Sequence, residues 1–246
     1  MPFYSENISK YHLKKTERGY GKAWDVVFDY MLANNGIKKL MEIGVGGGNS
    51  HLAWLDLFPQ AEIFGLEVAW PVLPQNTKMW KEMFNKQHDD DVVTRQIVNA
   101  VEAWHRFHQL SFDDRLRLHI FHNVNAKREN IMHSMLKKFG HFDVVINDSK
   151  HRKETTQLMS FWRKIVGENG VYFQEEFCST QNNHYKDYYY HEFLENNPDD
   201  KSYWRVFDFR LISTEQPECS VLGMYTQNQG ILNAVDESLD KFIIKQ

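Results

Sequence analysis

The alternation of apolar and polar positions divides the chain into strand–helix units. In "AWDVVFDYMLANNG", Val26, Val27, Tyr30 and Met31 recur at helical spacing and the run stops at Asn34–Asn35–Gly36, which predicts an amphipathic helix. "KKLMEIGV" reads as a short buried strand. "NSHLAWLDLF" opens on an Asn or Ser suited to capping and carries Leu52, Leu55 and Phe58, so it reads as a helix. "AEIFGLEV" is a second strand, ending on an acid. Residues 71–117 then interrupt the alternation; within them Val93, Ile97, Val101, Trp104 and His108 form one helical stripe. "RLRLHIFHN" alternates like a strand, "NIMHSMLKKFG" is a helix with a glycine stop, and "FDVVIND" is a strand buried on both faces. "TTQLMSFWRKIVGENG" is a further helix and "VYFQEEF" the strand after it. "YWRVFDFRLI" and "SVLGMYTQ", separated by a Pro-containing turn, are expected to pair as an antiparallel hairpin.

Repeated strand–helix alternation implies an α/β fold: a mostly parallel sheet with helices on both faces and an antiparallel strand at its C-terminal end. At 246 residues the chain is expected to be a single domain over 1–246, with an N-terminal helical segment at 1–36 and a helical insertion at about 71–117. A net charge of −4 gives no reason to expect a nucleic-acid partner, and the basic run Lys150–Lys153 is too short to change that. No apolar run reaches membrane-spanning length, so no membrane partner is expected. With only 2 cysteines, Cys178 and Cys219, and no signal-like start, a cytoplasmic location is expected. The aromatic run His184–Phe193 lines a pocket or packs a helix face.

The chemistry begins at "EIGVGGGNS". Gly44 allows a tight turn out of the strand; Gly46, Gly47 and Gly48 leave room for a ligand against bare backbone, and amides near Asn49 and Ser50 open the helix. Glu67, at the end of the next strand, is placed to accept hydrogen bonds from ribose hydroxyls. A dinucleotide fingerprint would need glycine where Asn49 stands, which disfavours an NAD-dependent oxidoreductase. Two later strand ends carry acids: Asp148, with His151 three residues on, and the pair Glu175–Glu176. Three oxygen ligands with open positions suit Mg²⁺. Because adjacent strand residues face opposite ways, both glutamates reach one ion only if the strand ends or bends there.

The segment Glu42–Gly48, with Glu67 beyond it, resembles the first motif of class I S-adenosylmethionine-dependent methyltransferases. Within these, "NDSKH" and "EE", together with "KTERGYGKAWDVVFDY" upstream, resemble the metal-dependent sugar O-methyltransferases of the macrocin and mycinamicin type and their cephalosporin-hydroxylase-like relatives, over roughly residues 12 to 180. The resemblance implies a Rossmann-like sheet and two cofactors, S-adenosyl-L-methionine and Mg²⁺. It implies Glu42, Gly44, Gly46, Gly48, Asn49, Ser50, Glu67, Asn123 and Asp148 at the methyl donor, Asp148, Glu175 and Glu176 on the metal, and His151 with Asp148 in catalysis. Asn147, Lys150 and Glu176 depart from the family's pattern, as does "HNVNA" around Asn123. The expected reaction is O-methylation of a small hydroxylated acceptor in secondary metabolism: a sugar or vicinal diol first, a catechol-like phenol next. Self-association is expected from the resemblance. Two alternatives stay open: a metal-independent N- or O-methyltransferase, and a non-catalytic binding or assembly protein.

Overall fold

In the computed structural model, residues 11, 14–68, 101–149, 154–177, 193–214 and 220–244 are described. Two helices, α1 (Lys14–Glu17) and α2 (Tyr20–Asn34), precede β1 (Lys39–Ile43), α3 (Asn49–Leu57) and β2 (Glu62–Glu67). After a helical stretch at 101–108 come α4 (Phe112–Arg117), β3 (Leu118–His122), α5 (Glu129–Phe139), β4 (Phe142–Asn147), α6 (Glu154–Trp162) and β5 (Val166–Gln174). The chain then forms β6 (Trp204–Asp208), β7 (Val221–Tyr225) and α7 (Gln229–Leu239).

The 7 strands form one sheet in the order β3-β2-β1-β4-β5-β7-β6. Every pairing from β3 to β5 is parallel, and β7 runs antiparallel to both β5 and β6. The chain moves outward from β1 through β2 to β3, then returns to place β4 on the other side of β1. That reversal opens a crevice at the carboxyl ends of β1 and β4, where ligands bind in open α/β sheets. Ladder bonds run one residue past the strand ends, from Asp148 N to Ile43 O (2.9 Å) and from Glu175 N to Asn147 O (3.0 Å). The two acids are thereby fixed to the sheet.

Strand residues alternate between two apolar layers, as a sheet covered on both faces requires. Leu40, Ile63, Val144, Ile146 and Phe173 face α2, α3 and α7, joining Trp24, Phe28, Trp54 and Val235. Met41, Phe64, Val145 and Tyr172 face α5 and α6, joining Met132, Met135, Met159 and Trp162. The stop at the end of α2 works as expected: Gly36 takes φ 73° and donates its N–H to Met31 O at 2.7 Å.

Three features differ from the sequence reading. Residues 115–117, expected in a strand, close α4: Ser111 Oγ accepts from Asp114 N at 3.1 Å, and acids lead the first turn while arginines occupy the last. Arg117 also donates to Phe58 O (3.1 Å) and Ala61 O (2.8 Å), which helical backbone there permits. "VGENG", expected as the tail of a helix, starts β5 instead. A side chain at Gly170 would meet Phe142 O at 2.8 Å, so glycine lets the two strands approach closely across the register shift. Third, α7 adds to the expected elements. Asn228 caps it through Gly230 N and Ile231 N, and Ile231, Leu232, Val235 and Leu239 bury one stripe. The expected β6–β7 hairpin forms. Of the insertion, residues 71–100 lie outside the described residues, as do Lys150–Lys153 and most of the aromatic run.

A buried acid cluster beside the glycine loop

The loop after β1 is shaped by its glycines. Gly44 takes φ 102°, Gly46 51° and Gly48 79°. A Cβ on Gly44 would stand 2.7 Å from Asp148 O, so backbone passes backbone here; at Gly46 it would meet nothing within 4 Å. The expected Asn or Ser cap of α3 is not used. Gly48 occupies the cap position in a left-handed conformation, Asn49 is the first helical residue, and no side chain among the described residues caps it. The amides of that first turn are thus available to a ligand. Behind the loop lies the end of the insertion: Arg106 Nη1 donates to Gly47 O at 2.5 Å, and Phe107 closes on Gly48. The helical stretch 101–108 packs there through Ala103 and leaves Trp104 exposed.

In front of the loop is a cavity of about 640 Å³, within the range of small-molecule and cofactor sites. Its wall includes Gly44, Val45, Gly46 and Gly47, then Asn49 and Ser50, then Glu67. Glu67 Oε2 accepts from Val45 N (3.0 Å) and Gly46 N (3.2 Å), so this carboxylate also holds the loop in shape. Val124, Asn125, Ala126 and Lys127 line the side nearest β3. Asn123 does not; it takes φ 58° and its amide meets His122 Nδ1 at 3.2 Å.

The cavity's far end is charged, and its cations come from a segment to which the sequence assigns no chemical role. Lys15, 7% exposed, places Nζ 2.6 Å from Glu42 Oε1, 2.8 Å from Glu175 Oε1 and 3.2 Å from Asp148 Oδ2. One ammonium therefore joins the ends of β1, β4 and β5. Burial alone would lower the Lys15 pKa, but Asp148, Glu175 and Glu42 together hold it well above the ordinary lysine range. Burial likewise works to raise Glu42, and Lys15 reverses this, so that carboxyl lies below its usual value. Glu175 goes the other way: burial, then the Asp148 charge, push it well up, with Lys15 only partly opposing. One ammonium faces three carboxyl groups here, and the charged form of Glu175 is the least supported of them. Glu175 Oε2 is buried and has no hydrogen-bond partner among the described residues.

Glu176 lines the same cavity but pairs with a different cation. The strand does end and bend, since β5 stops at Gln174 and Glu176 takes φ 48°. Its N–H donates to Tyr20 OH at 3.0 Å and its carboxylate pairs with Arg18. Asn147, where the resembling family carries an acid, is a buried neutral post: its amide donates to Tyr172 OH (3.0 Å) and Gln174 Oε1 (2.9 Å) and its oxygen accepts from Ser149 Oγ (2.6 Å). His151 lies outside the described residues.

The expected cofactors can be tested against this geometry. A methyl donor fits: there is bare backbone at Gly44–Gly47, an open helix start and an acid on the neighbouring strand. A three-acid Mg²⁺ cage of Asp148, Glu175 and Glu176 does not fit. Two of the acids share Lys15 and the third faces Arg18, and no group of at least three His, Cys, Asp or Glu among the described residues is arranged to hold an ion. Sequence reasoning missed Lys15 and Arg18 as site residues. Their signal was the resemblance of "KTERGYGKAW" to the family's upstream segment, which offered a location but no role.

His51, on α3, is fully buried, with Nδ1 3.8 Å from Glu42 Oε2. Burial depresses it below the ordinary 6.5, with Glu42 opposing in part. A depressed histidine binds protons less readily folded than unfolded, so stability is intact above pH 6.5 and lost as pH falls toward the folded value. Each unit of depression is worth about 1.4 kcal/mol. His51→Met is expected to flatten this acid-side loss in thermal melts followed downward from pH 6.5; equal slopes in the two chains would contradict it.

A mostly parallel sheet of 7 strands, with an antiparallel β7 and a glycine loop after β1, is a Rossmann-like α/β fold, as the sequence pattern predicts. No family model matches the sequence, and no curated protein matches it. Among solved structures, the chain is similar to MycE, a methyltransferase from the mycinamycin biosynthetic pathway, in complex with Mg, S-adenosylhomocysteine and mycinamycin VI. That match has 20% identity, covers 71% of this chain and 39% of that one, and has a TM-score of 0.46. It is also similar to the Podospora anserina methyltransferase PaMTH1 with S-adenosylhomocysteine bound, at 15% identity over 93% of this chain and 89% of that one, TM-score 0.48. A third is CalS10, an amino pentose methyltransferase from Micromonospora echinaspora involved in calicheamicin biosynthesis, at 16% identity over 62% and 48%, TM-score 0.36. No helix among the described residues is long and apolar enough to cross a membrane.

Proposed function

We propose that this chain is an S-adenosylmethionine-dependent O-methyltransferase acting on a hydroxyl of a small acceptor, a sugar or other vicinal diol first and a catechol-like phenol next. The observation that carries this reading is the cavity at the β1–β4 crevice, walled by the bare backbone of Gly44–Gly47 on one strand end and by Glu67 on the next. Bound S-adenosylmethionine would supply an electrophilic methyl group. Glu67 would take the ribose hydroxyls, and the loop with the Asn49 and Ser50 amides would hold the rest of the donor. The role expected of Asn123 passes to the cavity-lining residues Val124–Lys127. Glu42 and Asp148 would face the donor's polar end together with Lys15. His151, three residues after Asp148, is the candidate to receive the acceptor's proton, as a histidine near neutrality can. The engagement of Asp148 and Glu175 by Lys15 favours the metal-independent form of this reaction over the Mg²⁺-assisted one.

Calorimetric titration with S-adenosylhomocysteine tests the donor, and mass spectrometry of a polyol and catechol panel incubated with S-adenosylmethionine tests the transfer. Glu67→Ala is expected to lose charge-assisted hydrogen bonds worth about 1.5–3 kcal/mol, roughly a 10- to 150-fold weaker S-adenosylhomocysteine affinity. An unchanged affinity would remove Glu67 from the donor site. A wild-type chain that binds NAD in place of S-adenosylhomocysteine would end the methyltransferase reading.

A further inference from the structure

We propose that Lys15 is the resident cation of the acid cluster, held where a divalent ion would otherwise bridge Asp148 and Glu175, so that the site needs no metal to be complete. The assignment rests on the methyltransferase reading only for what the neighbouring cavity binds.

The geometry is that of an ion site with a tethered ion. A single nitrogen lies within 3.2 Å of oxygens from three separate strand ends, and Glu42, Asp148 and Glu175 have Lys15 as their common partner. Carboxylates gathered so closely, with Glu42 and Glu175 buried, demand a cation. An ammonium on a four-carbon stem meets that demand without dehydrating a metal, and its three N–H donors match three acceptor oxygens in number. The Trp24 ring lies 5.9 Å from Nζ and adds a face that attracts the same charge.

The segment carrying Lys15 is built to keep it in place. Arg18, three residues on, pairs with Glu176, and the next helix supplies Tyr20, whose hydroxyl accepts the Glu176 N–H. One short stretch thus engages all three acids of the expected cage, Lys15 meeting Asp148 and Glu175 while Arg18 meets Glu176. The buried Glu175 Oε2, with no partner among the described residues, is left for a hydrogen-bonding group on a bound molecule, such as an acceptor hydroxyl.

The test is a Mn²⁺ titration of the full chain, with free ion followed by electron paramagnetic resonance, beside calorimetric titration with S-adenosylhomocysteine. Wild type is expected to show no saturable Mn²⁺ site and an S-adenosylhomocysteine affinity indifferent to Mn²⁺. Lys15→Met should gain a single Mn²⁺ site, at least about tenfold tighter than anything in wild type, and lose it again when Asp148→Asn is added. If Lys15→Met does not fold by circular dichroism, Lys15→Met with Glu42→Gln removes one stranded charge and takes its place, keeping Asp148 and Glu175. One Mn²⁺ bound per wild-type chain and lost in Asp148→Asn overturns the proposal. So does a folded Lys15 variant that gains no ion. Failure of S-adenosylhomocysteine to bind, with the Mn²⁺ results as expected, would sink the donor reading and leave the Lys15 assignment standing.

Discussion

Lys15→Met is expected to cost about 3–5 kcal/mol of folding stability, the penalty typical of removing one partner from a buried ion pair. The loss is more than that of one pairwise attraction. Nζ is the shared partner of Glu42, Asp148 and Glu175, and without it the three repel one another, two of them from fully buried positions. Methionine keeps most of the stem's packing, so the deficit reports charge. Its dependence on pH gives the signature. With the ammonium gone, all three carboxyl pKa values rise, and the variant binds more protons folded than unfolded. Its stability should therefore fall as pH rises through the carboxylate range and recover on acidification, which chemical denaturation across pH would show. A deficit independent of pH would mean that Lys15 acts through packing. A deficit near zero would mean that the cluster finds another cation.

Much of the fold was legible because local and global signals agree. The run from β1 through the glycine loop and α3 to β2, and the buried strand β4, follow from periodicity and turn chemistry. There each apolar residue has one face to choose, and Gly44, Gly46 and Gly48 each supply a positive φ. The failures arose where a local pattern served two structures. Arg115–Arg117 alternate like a strand, but Ser111 starts a helix and Arg117 is drawn to the carbonyls at the end of α3. "VGENG" looks like a helix terminus, yet Gly170 is needed by a neighbouring backbone.

The candidate site was legible in half. Acids at the ends of β1, β4 and β5 could be found because strand ends in a parallel sheet converge by topology. Their partners could not, because Lys15 and Arg18 sit far away along the chain, in a polar stretch with no periodic signature. Three acids in sequence suggest a metal; in the structure a lysine meets two of them and an arginine the third. Only the packing of α1 against the sheet decides between these, and no spacing rule encodes it. Asn147 fits the same picture. An acid there would add a further charge to the cluster, whereas the amide instead joins Tyr172, Gln174 and Ser149 in a neutral network.

Three glycine substitutions separate what the loop does for the fold from what it does for the ligand. Gly36→Ala imposes only backbone strain: φ is 73°, a Cβ meets nothing within 4 Å, and the cavity is not lined by it. It should cost about 1–2 kcal/mol, the left-handed penalty of a side chain, and leave S-adenosylhomocysteine affinity unchanged. Gly46→Ala carries the same kind of strain at φ 51° and the same empty surroundings, but its methyl enters the cavity wall. Its stability loss should match that of Gly36→Ala, while the affinity falls by about tenfold or more because the methyl occupies space the donor needs. Gly44→Ala is the severe case. Strain at φ 102° is joined by a Cβ 2.7 Å from Asp148 O and 3.1 Å from its carbonyl carbon, and neither backbone atom can swing aside as a side chain would. The ladder bond from Asp148 N to Ile43 O must give, moving Asp148 away from Lys15 and opening the cluster. Stability should drop by more than the roughly 1–3 kcal/mol of backbone strain alone, and donor binding should disappear from calorimetry. If Gly46→Ala bound S-adenosylhomocysteine as tightly as Gly36→Ala does, the glycine loop would be a structural turn and the ligand would have to be sought elsewhere.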